Sequence, residues 1–181
     1  MHLLCYYENL DILSSMTLTT HAVVGAAIAT SMPNHPVIGF TLAFASHFVL
    51  DAIPHWDYKL SSQKTDNVNR LNDDMIIDRN FFIDLLKIGI DMSCGILLVL
   101  FLFTLYNPHL FWIPLIGAAG AVLPDALQFA YFKWRHQPLI ALQRFHLGIH
   151  AKRNFDKKPM IGIPFQIAVI ILVVYISKLI I

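Results

Sequence analysis

The stretch Ser46–Tyr58, "SHFVLDAIPHWDY", places His47, Asp51, His55 and Asp57 in and just beyond the end of an apolar segment. Residues four apart on an α-helix lie about 40° apart around the axis and about 6 Å apart along it, so His47 and Asp51 share a face. Pro54 predicts a helix end at Ile53, with His55 and Asp57 in a loop over that end. Imidazole nitrogens beside carboxylate oxygens are a ligand set for Zn²⁺ and, where carboxylates dominate, for Mn²⁺ or Mg²⁺. Three more ionisable residues stand in apolar surroundings: His21 in "LTTHAVVGAAIATSM", Asp91 in the run from Asp84 to Tyr106, and Asp125 after Leu123 and Pro124. Even the lower insertion scales charge about 2.5–3.5 kcal/mol for an Asp at the centre of a membrane helix, so each of these calls for a functional reason.

The elements that would position them follow from composition and punctuation. The 181 residues are 56% hydrophobic and 14% charged, with a mean hydropathy of +0.59, whereas soluble domains carry about a quarter charged residues. The expectation is an all-α, polytopic helical membrane protein with four to five membrane-embedded helices in a single domain, 1–181. A polar segment 1–18 precedes a helical hairpin, 19–53, turned by "PNHP"; helix 19–32 is either a short span or re-entrant. A polar loop, 54–83, leads to a transmembrane hairpin, 84–132, turned at Asn107 and Pro108. A basic loop, 133–159, precedes a last helix, 160–181.

Lys and Arg gather in the 133–158 region (Lys133, Arg135, Arg144, Lys152, Arg153, Lys157 and Lys158) and, more sparsely, in 54–83. The positive-inside rule therefore puts both loops of a multi-pass chain in the cytoplasm. In that topology His21, His47, Asp51, Asp91 and Asp125 fall in one layer, roughly 5–10 Å below the cytoplasmic surface by helix rise. They are the predicted metal ligands, and His55 and Asp57 above them are the predicted outer ligands or general acid and base. His146 and His150 are additional ligand candidates. They share a face of "PLIALQRFHLGIHAKR", whose amphipathic pattern suits a helix lying on the membrane with that face solvated. Asp84 reads as an interfacial helix start, and Lys87 as snorkelling or pairing with Asp91.

Net charge of +1 gives no footprint for nucleic acid. Cys5 and Cys94 have neither disulfide-framework nor zinc-ligand spacing. The N-terminus lacks the basic start of a signal peptide, and either Met1 or Met16 suits as the initiator.

Two resemblances sharpen the reading. "HFVLDAIPHWD" resembles the His-x3-Asp helix motif of the all-helical zinc phospholipase C and P1-type nuclease group. The order "THAVVGAAIA", then the His/Asp helix, then "GAAGAVLPDALQ" resembles the bacterial inner-membrane proteins described as metal-dependent hydrolases, with His21 and Gly25 as His-x3-Gly and Gly117 to Asp125 as the Gly-rich run ending in Leu-Pro-Asp. The Thr-His-Ser motif of that family is absent, and His146 or His150 would take its place. The resemblances imply a metal cofactor, zinc first and manganese or magnesium next, and hydrolysis of a phosphoester. The shallow depth of the ligands and the basic loop point to a membrane lipid or lipid-linked phosphate as substrate. The alternatives are a proton- or ion-coupled transporter, since buried Asp and His also build proton relays, and a scaffold whose polar groups hold helices together.

Overall fold

Small residues let one helix sit inside the others. In the computed structural model, which describes residues 16–105, 108–151, 155 and 157–180, helix α1 (Leu18–Thr30) is buried except at Thr19 and Ile28. It packs against α2 (Pro36–Asp51), α3 (Arg79–Val99), α4 (Trp112–Lys133) and α6 (Pro159–Ile180); α5 (Leu139–Ile149) lies across the end of α4. The core around α1 joins Ala22, Val23, Ala26 and Ala27 to Val99, Phe103, Ala118 and Val174. Of the polar segment 1–18, residues 1–15, with Cys5, lie outside the described residues, as do Asn107, Lys152 and Arg153, whereas Met16 is buried against Val24 and Leu50.

Local chemistry sets the helix ends. Pro36 opens α2, where a missing N–H costs nothing, and α2 stops three residues before Pro54, which cannot continue it. Asp78 caps α3 by accepting from the Phe81 N–H at 3.1 Å. The helix thus starts five residues before the expected Asp84, and it runs on through a π-helical turn, Leu100–Thr104. Pro124 lies inside α4, which continues past it to Lys133.

Three segments are long and apolar enough to cross a membrane: Arg79–Thr104, Pro108–Lys133 and Pro159–Ile180. At 13 and 16 residues, α1 and α2 rise only about 20–24 Å against a hydrocarbon core of about 30 Å. Of the four to five embedded helices expected, three therefore reach span length. The most apolar stretches of the first and last segments are only 11% and 17% buried, and Phe82, Leu86, Leu97, Phe101, Ile171 and Leu179 stand exposed. So large an uncovered apolar surface is consistent with contact with lipid.

The polar connection after α2 is built rather than open. Strands β1 (Gln63–Lys64) and β2 (Asp74–Met75) pair antiparallel, Gln63 opposite Met75 and Lys64 opposite Asp74. Lys133 donates to the Asp74 carboxylate at 2.9 Å and to the Met75 carbonyl at 2.5 Å. Arg135 donates to the Leu71 and Asp73 carbonyls at 2.8 and 3.1 Å. Asp84, expected at an interface, is fully buried: its Oδ2 accepts from the Ser62 N–H and hydroxyl at 2.7 and 2.8 Å. Lys87 pairs with Asp84 at 2.8 Å rather than with Asp91, whose carboxylate is engaged by the Leu18 and Thr19 N–H groups.

Candidate metal centre

The start of α1, the end of α2, the second half of α3 around Asp91 and the second half of α4 come together beside α5. On α1, His21, Gly25 and Ala29 form one i, i+4 line; on α4, Gly117, Ala121 and Asp125 form another. The two lines cross at the glycines. A Cβ built on Gly25 would fall 2.5 Å from the Ala121 Cβ, and one on Gly117 would fall 2.6 Å from the Ala29 Cβ. Only backbone fits at the crossing, and this close approach carries His21 and Asp125 toward the His47/Asp51 face of α2.

Asp51 is the hub. Its Oδ2 lies 3.1 Å from His47 Nε2 and 2.8 Å from His146 Nε2, and its Oδ1 lies 3.2 Å from His21 Nε2. Asp125 Oδ1 is 3.6 Å from His47 Nε2. His47, Asp51, Asp125 and His146 each offer a ligand atom, and these four atoms lie within 4.8 Å of one another. Asp51, His55 and His150 form a second such group.

Tautomers follow from the backbone. His47 Nδ1 donates to the Ala121 carbonyl at 2.9 Å. A neutral His47 therefore turns the lone pair of Nε2 inward, where the His146 Nε2 stands 3.4 Å away. His146 Nε2 either donates to Asp51 Oδ2 at 2.8 Å or, in the other tautomer, adds a second lone pair to the carboxylate oxygens around this point, which then repel each other unless a cation or protons lie among them. A carbonyl-oriented imidazole is also the usual outer support of a histidine ligand. His, His, Asp and Asp around one point could hold a divalent cation.

His21 is adjacent rather than included. Its ring stacks on His47 at 4.2 Å between centroids, yet neither ring nitrogen is aligned for a hydrogen bond, and it belongs to neither four- nor three-residue group. His146 stands differently from the solvated-face expectation: α5 folds down so that this residue is 3% exposed and reaches Asp51. His55 and His150 stand side by side at 5.2 Å between centroids, and burial lowers the His150 imidazole below its ordinary value, favouring the neutral form.

Asp91 and Asp57 are not brought into either group. The Asp91 carboxylate accepts from the Leu18 and Thr19 N–H groups at 2.7 and 3.1 Å and from the Thr19 hydroxyl at 2.6 Å, so it neutralises the start of α1, where unpaired N–H groups and the helix dipole favour an anion. Burial and the nearby charges of Asp91 and Asp57 raise the Tyr58 phenol, which stays protonated and donates to Asp91 at 3.2 Å. Asp57 Oδ1 accepts from the Tyr58 N–H at 2.6 Å. Helix depth alone cannot tell a ligand from a cap contributed by a neighbouring helix. Asp91→Ala is expected to cost about 1–2 kcal/mol of stability, the range of a lost helix cap, while metal stoichiometry stays that of wild type; thermal unfolding and elemental analysis of the same sample check both.

Sequence reasoning did not find the Ala121 carbonyl that orients His47. No local signal marks it, since Pro124 frees the Gly120 carbonyl, one residue earlier.

Fold and site define a class: an all-helical protein with three span-length helices and a buried His/Asp centre able to hold a metal ion. Compared with protein-family models, with curated proteins and with solved structures, the chain shows no match.

Proposed function

We propose that the chain is a membrane-bound, metal-dependent hydrolase of the phosphoester of an amphiphile, a phospholipid or a lipid-linked phosphate, acting at the cytoplasmic face of the inner membrane. The observation that carries the reading is the inward convergence of His47, Asp51, Asp125 and His146 at the end of the bundle. These four residues would hold the ion, with zinc preferred over manganese and magnesium. Bound there, a divalent ion supplies Lewis acidity toward a phosphoryl oxygen.

The rest is work for the chain's own residues. His21 stacks on His47, and Phe48 meets the rings of His47 and His146 edge-on at 5.2 and 5.4 Å, which keeps bulk water from the ligands. Asp125 is the most accessible of the four, its side chain 16% exposed. One turn further along α4 the exposed Phe129 shares its face. An opening bordered by an exposed aromatic on a span-length helix favours a substrate that arrives sideways from lipid.

Lys133 and Arg135 are occupied in holding the 63–75 segment, so attraction of anionic headgroups falls to the exposed Arg144, Lys157 and Lys158, at about 1 kcal/mol per residue near the surface. Release of phosphate or headgroup from mixed micelles, over a panel of phospholipids and lipid-linked phosphates, tests the proposal. Release is expected to require metal, to rise with anionic lipid, to fall with ionic strength and to stop with a chelator. Folded, metal-replete protein that releases nothing across the panel would remove the hydrolase reading and favour a transporter or scaffold.

A further inference from the structure

Two stretches of chain run side by side through the centre, each carrying two histidines. Along α2 and its following turn come His47, Asp51 and His55; along α5 and its end come His146 and His150. The stretches are tied together by backbone, the Ala151 N–H donating to the Asp51 carbonyl at 2.8 Å and the Phe155 N–H to the His55 carbonyl at 2.7 Å. His146 thereby meets Asp51 from the side of His47, and His150 meets it from the side of His55.

The second histidine pair is prepared as the first is. His55 Nδ1 donates to the Ile53 carbonyl at 2.7 Å and His150 Nδ1 to the Ala151 carbonyl at 3.2 Å, which leaves Nε2 as the nitrogen of each ring able to ligate. The His150 Nε2 is buried and makes no hydrogen bond. A buried acceptor without a donor is costly, a cost that a cation at this point would remove. His55 is fully buried, and no packing demand requires two imidazoles and a carboxylate with ligand atoms within 4.8 Å.

We propose that Asp51 is a bridging carboxylate between two cation positions, the second held by Asp51, His55 and His150. This rests on the reading of the first group as a metal site and extends it from one ion to two. His55 is then a ligand rather than the general acid or base expected from sequence. Paired divalent ions in hydrolytic sites stand about 3.5–4 Å apart and clamp the oxygens of a transferring phosphoryl group, a geometry that a shared carboxylate sets.

The experiment uses the full chain in detergent, free of any affinity tag, stripped with chelator, reloaded with Mn²⁺ and desalted. Manganese per chain is measured by elemental analysis and ion–ion coupling by electron paramagnetic resonance. Wild type is expected to hold about two ions per chain with an exchange-coupled spectrum, as a two-metal site should. His150→Ala and His47→Ala are each expected to hold about one, with the spectrum of an isolated ion. Saturation of wild type at one ion, or coupling and stoichiometry unchanged in His150→Ala, would overturn the proposal. Should His150→Ala lose its helical circular dichroism, His150→Gln and the wild-type spectrum decide. Two coupled ions without phosphate release would sink the hydrolase and keep the bridge; one ion with release would do the reverse.

Discussion

Asp51→Asn is expected to lower zinc affinity by well over the roughly 100-fold that loss of an outer-shell partner costs, and to abolish any metal-dependent hydrolysis, while the helices stay in place. Asp51 is the one residue shared by both metal groups, and its two oxygens face His21, His47 and His146. Asparagine has the same size, so packing around the end of α2 is kept, but it removes the negative charge and turns one ligand oxygen into an N–H₂ donor. That donor can bond an imidazole lone pair and so satisfy the neutral histidines without a cation. Equilibrium dialysis against buffered zinc, with circular dichroism on the same sample, checks both halves. Wild-type affinity in Asp51→Asn would show that the centre is a hydrogen-bonded helix contact.

Gly117→Val is expected to be the most damaging substitution of a residue that carries no chemistry. A Cβ at this position meets the backbone and side-chain atoms of Gly25 and Ala29 on α1. Overpacking a close-packed interior costs about 1–3 kcal/mol and occasionally more, and backbone cannot swing aside as a flexible side chain can. Parting α1 from α4 would also carry His21 and Asp125 away from Asp51, so metal content should fall with stability. Gly89→Ala is the control. Nothing lies within 4 Å of a Cβ there, and Gly89 is on an exposed face of α3, so the change should leave metal binding intact and raise stability by up to about 1 kcal/mol through helix propensity. A Gly117→Val protein that melts and binds metal like wild type would show that the α1–α4 crossing does not position the site.

How much of this was legible in the chain depends on whether the cause is local. The helical class, the hairpin turned by "PNHP", the end of α2 before Pro54 and the shared face of His47 and Asp51 follow from apolar periodicity, proline and 3.6-residue geometry, which act within a few residues. The pairing of His47, Asp51 and Asp125 was also within reach, because buried charge is costly enough to mark its own position. Other outcomes needed the folded chain. Asp91 has the depth of a ligand but serves the start of α1, because α3 sets its carboxylate against the Leu18 and Thr19 N–H groups. His146 has the pattern of a solvated face but is buried on Asp51, because the backbone bonds from Ala151 and Phe155 draw the end of α5 onto the turn after α2. The 54–83 stretch has the composition of a loop but closes into a small antiparallel ladder held by Lys133 and Arg135. By itself the sequence determined which residues are costly to bury and which faces they share along one helix. Which of them meet was decided by contacts between helices far apart in the chain, where close approach at Gly25 and Gly117 and hydrogen bonds from distant backbone choose the partner, and no periodicity within a single element encodes that choice.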